Sequence, residues 1–410
     1  MSVRQNKHLT FKANVQVSRH GWLRLTPAYS YRLVRNTIKE LNKQSVVLDP
    51  FSGTGTTGLA AAEDGMSAVL VDVNPFLVWF AQAKTRNYSH SEIDEARDRA
   101  LRAASLVRAD DGAEPWIPAL HNIERWWSTG ALHALAQLRE GLAFDRLDTG
   151  ADSLLAIAFC RAMIDVSNAA FNHQSMSFQS ADGGATLPLV PVDEVERVIT
   201  AFSRAAKQVI ESASVPLEGA VRVELDDSRA LASIADQSID FICTSPPYAN
   251  RMSYIRELRP YMYWLGFLAD ARDAGELDWK AIGGTWGIAT SRVADWCPVT
   301  GSALGEDFSS AIEKIASSPA PNAPLLANYV HKYFLDLQEH LVAAHRVVRR
   351  GGAVSYVVGN STFYGVTVPT ERWYADLLTA AGFGAASAKT IRKRNSKKEL
   401  FEFEVTAERI

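Results

Sequence analysis

The sequence predicts an α/β fold, a doubly wound and mostly parallel sheet with a helical insertion and a terminal β-hairpin. Three stretches predict it. Ser45 to Leu48 is an apolar strand that runs into the glycine loop Asp49-Pro50-Phe51-Ser52-Gly53-Thr54-Gly55-Thr56-Thr57-Gly58, after which Leu59 to Glu63 begins a helix. Ala68 to Val71 is a second strand, ending in Asp72. Ile239 to Cys243 is too short for a globular helix and is closed by the double proline of Thr244-Ser245-Pro246-Pro247-Tyr248, so it reads as a short parallel strand. Strand, glycine loop and helix start make one half of a doubly wound nucleotide site, and ligands of such sheets sit beyond the carboxyl ends of the strands.

With 410 residues, 47% of them hydrophobic and 22% charged, the chain can bury a large core and is expected to form one large domain with an insertion, or two domains. A net charge of -3 does not announce a nucleic-acid binder, so local charge has to carry any such reading. Cys160, Cys243 and Cys297 are far apart and form no Cys/His ligand spacing, which argues against a disulfide framework and a structural zinc, and no metal is expected. Met1 to Lys12 is polar and basic, and the apolar Leu154 to Val166 is broken by Arg161 and Asp165. Neither a secretory signal nor a membrane span is read, and the cytoplasm is the default location.

In chain order, residues 1–88 are expected to hold the first part of the core and the ligand site. Thr26-Pro27 offers a hydroxyl cap and a first-turn proline for a helix from Ala28 to Leu41. Residues 89–215 form a helical insertion built from Glu92 to Ala109, Ile123 to Arg139, Ser153 to Phe171 and Val195 to Ser212. The loop from Asn172 to Ser180 suits solvent or a nucleic-acid backbone, and His173 has no metal-type partner spacing. Residues 216–268 return to the sheet with Val221 to Leu225, then Asp226-Asp227-Ser228-Arg229 and a short helix, then the Ile239 strand and a helix from Tyr254 to Leu268. For Asp227, a helix N-cap is as good a use as a ligand contact. Residues 269–328 read as a loop-like second insertion or lid. Residues 329–410 open with a helix to Arg350 closed by Gly351-Gly352, followed by a strand from Ala353 to Val358, a loop from Asn360 to Val368, a helix from Glu371 to Ala381, and a hairpin of Lys389 to Arg394 with Glu399 to Val405. Its turn holds Lys389, Arg392, Lys393, Arg394, Lys397 and Lys398, which makes it the best candidate for phosphate contact, although a charge run also suits a solvated turn.

The glycine loop admits three readings. Gly53 and Gly58 have the P-loop spacing, but Leu59 and Ala60 follow instead of Lys and Ser/Thr, so nothing would neutralise a triphosphate. Gly53, Gly55 and Gly58 with Asp72 also fit a dinucleotide fingerprint, and a merely structural turn is the third use. At the other strand end, two prolines remove two N–H donors and leave a stiff acceptor site, with a serine hydroxyl before it and a tyrosine ring after it. That suits a flat, amine-bearing group held at its edge and stacked on its face, such as an extruded nucleobase, while Tyr248 could equally be ordinary core.

Taken together, Asp49-Pro50-Phe51-Ser52-Gly53-Thr54-Gly55 and Thr244-Ser245-Pro246-Pro247-Tyr248 resemble the S-adenosylmethionine-dependent DNA amino-methyltransferases, which methylate the exocyclic amine of cytosine or adenine. The resemblance covers most of residues 20–80, 221–268 and 329–405 and neither insertion, and it implies a Rossmann-like core of the class I methyltransferase type. It puts Asp49, Phe51, Gly53 and Gly55, with Pro50, Ser52 and Thr54 of the same loop, around the methionine part of the cofactor and Asp72 on its ribose. Asp227 would face the adenine amine, Thr26 and Pro27 look like the preceding cofactor segment, and Asn74 with Pro75 fits the loop after the second strand. Ser245, Pro246, Pro247 and Tyr248 would be the catalytic segment, and a serine there is more typical of the cytosine-N4 group. Double-stranded DNA is the implied partner, with a cognate restriction endonuclease acting separately, and either insertion could contact DNA or recognise the target. Cytosine-C5 chemistry is disfavoured because no Pro-Cys occurs. Adenine N6, an RNA base or a protein glutamine amide are the alternative substrates. A catalytically inert cofactor-binding regulator and a nicotinamide-dependent oxidoreductase are the readings from other classes.

Overall fold

A computed structural model describes residues 9–15, 17–24, 28–109, 114–143, 147–170, 177–178, 193–250, 253–285, 288–298, 300–394 and 399–410. The chain runs through α1 (Tyr31–Ile38), β1 (Val46–Asp49), α2 (Thr56–Glu63), β2 (Ser67–Asp72) and α3 (Pro75–Thr85) before the sheet is interrupted. The insertion holds α4 (His90–Ala109), α5 (Thr129–Leu142), α6 (Gly150–Asp165), a small hairpin of β3 (Ala169–Ala170) and β4 (Ser177–Phe178), and α7 (Glu194–Ala213). The sheet resumes with β5 (Val221–Leu225) and β6 (Ile239–Thr244), followed by α8 (Ile255–Trp264), α9 (Ala271–Lys280), α10 (Ile288–Ala294) and α11 (Glu306–Ala316). Then come α12 (Ala323–Val347), β7 (Val348–Gly359), a hairpin of β8 (Ser361–Phe363) and β9 (Val366–Val368), α13 (Thr370–Ala380), β10 (Ser387–Lys393) and β11 (Phe401–Glu408).

Among the described residues the main sheet has seven strands in the order β10-β11-β7-β6-β1-β2-β5. The run from β7 to β5 is parallel and β11 alone opposes its neighbours, so this is the mostly parallel, doubly wound sheet that the sequence predicts. The chain winds outward from β1 through β2 to β5, then crosses to β6 and β7 on the other side. The β1/β6 boundary is therefore the switch point where a crevice opens beyond the carboxyl ends. Period-two alternation assigns the faces: Val47 and Ala68 pack under α1 and α2, whereas Leu48, Val69 and Ile242 pack under α12. Both edges carry charge, Arg222 and Glu224 on β5 and Lys389, Arg392 and Lys393 on β10, which discourages further strand pairing.

The helical insertion shares one core with α3 and α8. Trp264 at the end of α8 is fully buried with its ring edge-on to Trp116, Trp127 and Phe159, and Arg139 Nε donates to the Trp264 carbonyl at 2.9 Å. The segment that follows the Ser-Pro-Pro-Tyr loop is thereby fastened to the insertion. A second fastening is Arg19, which is 1% exposed. Its guanidinium donates to the carbonyls of Lys84 and Arg86 at the end of α3 and of Ser212, Ala213 and Val215 at the end of α7, at 2.5 to 3.3 Å. Those carbonyls have no helical partner, and the dipole at a helix C-terminus favours a cation.

Several local expectations are revised. The helix expected from Ala28 begins at Tyr31, capped by Ser30, and Thr26 and Pro27 lie outside the described residues, as do most of Asn172 to Ser180 with His173 and also Lys397 and Lys398. The stretch from Ile123 splits into a 3-10 turn and α5, because Ser128 Oγ caps the Ala131 N–H. No helix follows Asp226-Asp227: Asp227 Oδ1 accepts the Arg229 N–H and Asp226 Oδ2 accepts from Ser233, so side-chain bonds hold turns in place of a helical ladder. The helix before β7 ends at Val347, and Gly351 and Gly352 lie inside β7, beside a register shift against β6. Residues 360–368 form the β8–β9 hairpin instead of a loop. The second insertion is helical, with Phe308, Ala311 and Ile315 of α11 buried one turn apart.

Arg19→Met leaves buried carbonyls without a donor and is expected to lower the unfolding free energy by about 3 kcal/mol, read as a lower urea midpoint at unchanged slope.

Candidate active site

The glycine loop and the Ser-Pro-Pro-Tyr loop face each other because one carboxylate joins their roots. Asp49, 0% exposed at the end of β1, accepts from Thr244 Oγ1 at 2.6 Å, Thr57 Oγ1 at 2.5 Å, the Phe51 N–H at 3.1 Å and Tyr29 Oη at 3.3 Å. Burial pushes its carboxyl above the usual range and these donors pull it back. Thr57 lies on α2 and Thr244 ends β6, so the group ties three elements at the switch point.

The next tie runs across the loop mouth. Asp72, at the tip of β2, accepts the Gly53 N–H and the Asn74 N–H, each at 2.9 Å. Burial pushes its carboxyl up to about 7 despite these bonds. Gly53 (φ +49) and Gly55 (φ +70) take left-handed backbone, and Gly55 is the N-cap of α2. Lys84, buried at the end of α3, donates from Nζ to the Thr54 carbonyl at 2.8 Å and supports the loop from behind. Asn74 Oδ1 caps α3 through the Phe76 N–H at 3.0 Å.

On the opposite wall, Ser245 Oγ donates to the Val357 carbonyl of β7 at 3.1 Å. A carbonyl only accepts, so the serine proton points there and the remaining oxygen lone pairs face away. Tyr333 of α12 donates to the Pro247 carbonyl at 2.6 Å, and the Tyr248 N–H donates to Tyr254 Oη at 3.1 Å, which fixes the loop on both sides. His340, also of α12 and fully buried, donates from Nδ1 to the Ser228 carbonyl at 2.7 Å, which leaves Nε2 to accept from Tyr356 Oη at 2.9 Å. Burial lowers its pKa to about 4, in keeping with a neutral ring, and Phe51 packs edge-on against it at 4.7 Å.

These walls line an open cleft with a cavity volume of about 120 Å³. Pro50, Phe51, Ser52, Gly53, Thr54, Asp72, Asn74, Asp227, Ser245 and Pro247 all line it, so residues nearly two hundred positions apart meet there. Asp49, Gly55, Pro246 and Tyr248 do not line it; Asp49 is turned into the core, and Tyr248 lies beside Ser245, half-buried, with its hydroxyl 3.5 Å from Ser245 Oγ. Asp227 lines the cleft with its carboxylate gripped by Arg229 Nε at 3.0 Å to each oxygen and by an Arg229 terminal nitrogen at 2.7 Å. Burial works against its charge, but Arg229 holds the carboxyl below the usual range.

Residues 26–83 match the N6/N4 methyltransferase family, described as DNA methylase. The Type II methyltransferase M.BsoBI of Geobacillus stearothermophilus is 23% identical over 442 aligned positions, which cover 97% of this chain and 85% of that protein. Both comparisons support an amino-methyltransferase of the N4/N6 family. The described basic residues of the hairpin are dispersed. Arg392 is paired with Glu402 at 2.6 and 2.5 Å, Lys393 with Glu399 at 2.8 Å, Arg394 turns towards Tyr248, and Lys389 is exposed. Sequence reasoning missed Tyr29, Thr57, Thr244, Tyr333 and His340. Thr57 and Thr244 abut the motifs and could have been found by asking what satisfies a buried Asp49, whereas Tyr333 and His340 carry no local signal.

Thr244→Val keeps the shape and removes a donor from the buried carboxylate. It is expected to cost about 2 kcal/mol of stability by chemical denaturation.

Proposed function

We propose that this chain transfers a methyl group from S-adenosylmethionine to the N4 amine of cytosine in an extruded base of double-stranded DNA. The observation that carries the reading is Ser245, whose proton is committed to the Val357 carbonyl, so that Oγ presents lone pairs on the wall facing the glycine loop.

The cleft suits the cofactor. Ser52 Oγ is buried without a hydrogen-bond partner among the described residues, the Asp72 carboxylate stands at the strand tip, and Phe51, Leu77, Ile255 and Leu258 supply apolar contact. Asp72 would take the ribose diol, the glycine loop the methionine part, and Ser228, Asp227 and Ile282 the base end. When bound, S-adenosylmethionine supplies an activated methyl on a sulfonium.

The amine of cytosine is a poor nucleophile because its lone pair is delocalised into the ring. Ser245 Oγ and the Pro246 carbonyl accept hydrogen bonds from its two N–H groups and let the nitrogen pyramidalise, while Tyr248 stacks on the ring. The nitrogen lone pair bonds the methyl carbon as the carbon–sulfur bond breaks, the thioether leaves as S-adenosylhomocysteine, and one N–H proton passes to water. Positioning and polarisation carry the rate, with no covalent enzyme intermediate. A serine acceptor in place of a carboxylate favours cytosine N4 over adenine N6. Likeness to a Type II methyltransferase over almost the whole chain supports a modification role. The reading places the chain in the cytoplasm beside a separate restriction endonuclease, with either insertion contacting DNA. Among the described residues no helix is long and apolar enough to cross a membrane.

Incubation with unmethylated genomic DNA and methyl-labelled cofactor, followed by nucleoside mass spectrometry, is expected to give N4-methylcytosine, and Ser245→Ala to lower kcat by about 10²-fold or more. Labelled N6-methyladenine would overturn the base assignment, and cofactor binding without labelled DNA would favour an inert regulator. Because Asp72 holds its proton up to about pH 7 and a ribose diol donates to the ionised form, affinity for S-adenosylhomocysteine should fall as pH drops below 7, by roughly tenfold per unit. Calorimetry in two buffers at pH 6 should show about one proton released per site, and Asp72→Asn should flatten the profile.

A further inference from the structure

Arg394 is the one described member of the basic turn whose side chain reaches the Ser-Pro-Pro-Tyr loop. Its N–H donates to the Leu400 carbonyl at 2.7 Å, its guanidinium donates to the Asn360 carbonyl, and its Cζ lies 5.3 Å from the centre of the Tyr248 ring. Asn360 is itself fixed, with Nδ2 donating to the Glu399 carbonyl at 3.1 Å and Oδ1 accepting the Phe401 N–H at 2.8 Å. The approach depends on glycine at 359: a Cβ there would stand 2.8 Å from Arg394 Cζ and 3.1 Å from Tyr248 Cε2. The hydroxyl of Tyr248 is 3.5 Å from Ser245 Oγ, too long a bond to fix the ring.

We propose that Arg394 is a positioning residue that clamps one face of Tyr248, so that the other face and Ser245 Oγ hold a fixed mutual geometry towards the extruded base. The proposal rests on the methyltransferase reading above and replaces the phosphate contact expected of Arg394 from its place in a basic turn. A planar cation packs flat on a ring face, which a point charge such as lysine does not reproduce. A ring held in one plane delivers the base to the acceptors without a search over side-chain rotamers.

The test compares Arg394→Met, Arg394→Lys and Gly359→Ala with the wild type on unmethylated genomic DNA. Arg394→Met is expected to lower kcat at saturating DNA by about 30-fold, to leave the cofactor Kd within about twofold, and to leave the slope of log affinity for DNA against log salt unchanged. Arg394→Lys should restore only part of the rate, and Gly359→Ala, with the charge intact, should lower kcat as well. An unchanged kcat with a weaker KM for DNA, a salt slope reduced by about one and full rescue by lysine would mark a phosphate contact and overturn the clamp. In the free protein, Arg394→Met and Tyr248→Leu should be non-additive in unfolding by about fivefold in the equilibrium constant. Additivity there overturns the clamp. A wild type that binds cofactor and labels no DNA defeats the proposed function, while the unfolding cycle still decides whether Arg394 holds the ring.

Discussion

The buried carboxylate of Asp49 is the constraint on which the site depends. It sits at the boundary where the winding of the sheet reverses, and it draws donors from Tyr29, Thr57, Thr244 and the Phe51 backbone onto two oxygens. A carboxylate removed from water must be met by hydrogen bonds or it will neutralise, and here the donors come from the N-terminal segment, α2 and β6. Because Thr244 directly precedes Ser245, and Phe51 directly precedes Ser52, the two loops cannot drift apart without leaving that charge exposed to an apolar core. The separation of the glycine-loop wall and the Ser-Pro-Pro-Tyr wall is thus set by one group that does not itself line the cleft.

Around this tie, the insertions behave as walls more than as appendages. α8 leaves the Ser-Pro-Pro-Tyr loop, lines the cleft through Ile255 and Leu258, and then buries Trp264 in the helical insertion. The second insertion brings Lys280, Ala281 and Ile282 to the opposite side, where the Lys280 carbonyl accepts from Arg229 at 2.9 Å. Arg229 in turn grips Asp227 and reaches Asp336 on α12 at 3.5 Å. Three separate segments thus supply apolar walls to the cleft, and a hydrogen bond made against such walls is worth more than one in open water.

Arginine is used mainly as internal scaffolding. Arg19 caps two helices, Arg346 binds the Ala230, Leu231 and Ile234 carbonyls, Arg392 is neutralised by Glu402, and Arg394 covers an aromatic ring. A count of basic residues in a turn therefore overstates the charge offered to a polyanion. The planar fork of the guanidinium explains the choice, since it satisfies several fixed carbonyls at once where an ammonium would satisfy one or two.

The sequence by itself determined the sheet and its two functional loops. Short apolar runs, glycines at the turn into α2 and a double proline after β6 are local signals, and local physics is enough to read them. Element ends were less legible where side chains overrule propensity, as at Asp226 and Asp227, or where a helix passes straight into a strand, as at Val347 and Val348. Only the tertiary structure decided which motif residues line the cleft and which support it. Asp49 belongs to the supports, Arg394 stands against Tyr248, and Tyr333 and His340 reach the site from a helix about ninety residues further along the chain. The physical reason is that a hydrogen bond between distant segments needs both partners in place, and one segment read alone carries no mark of the other.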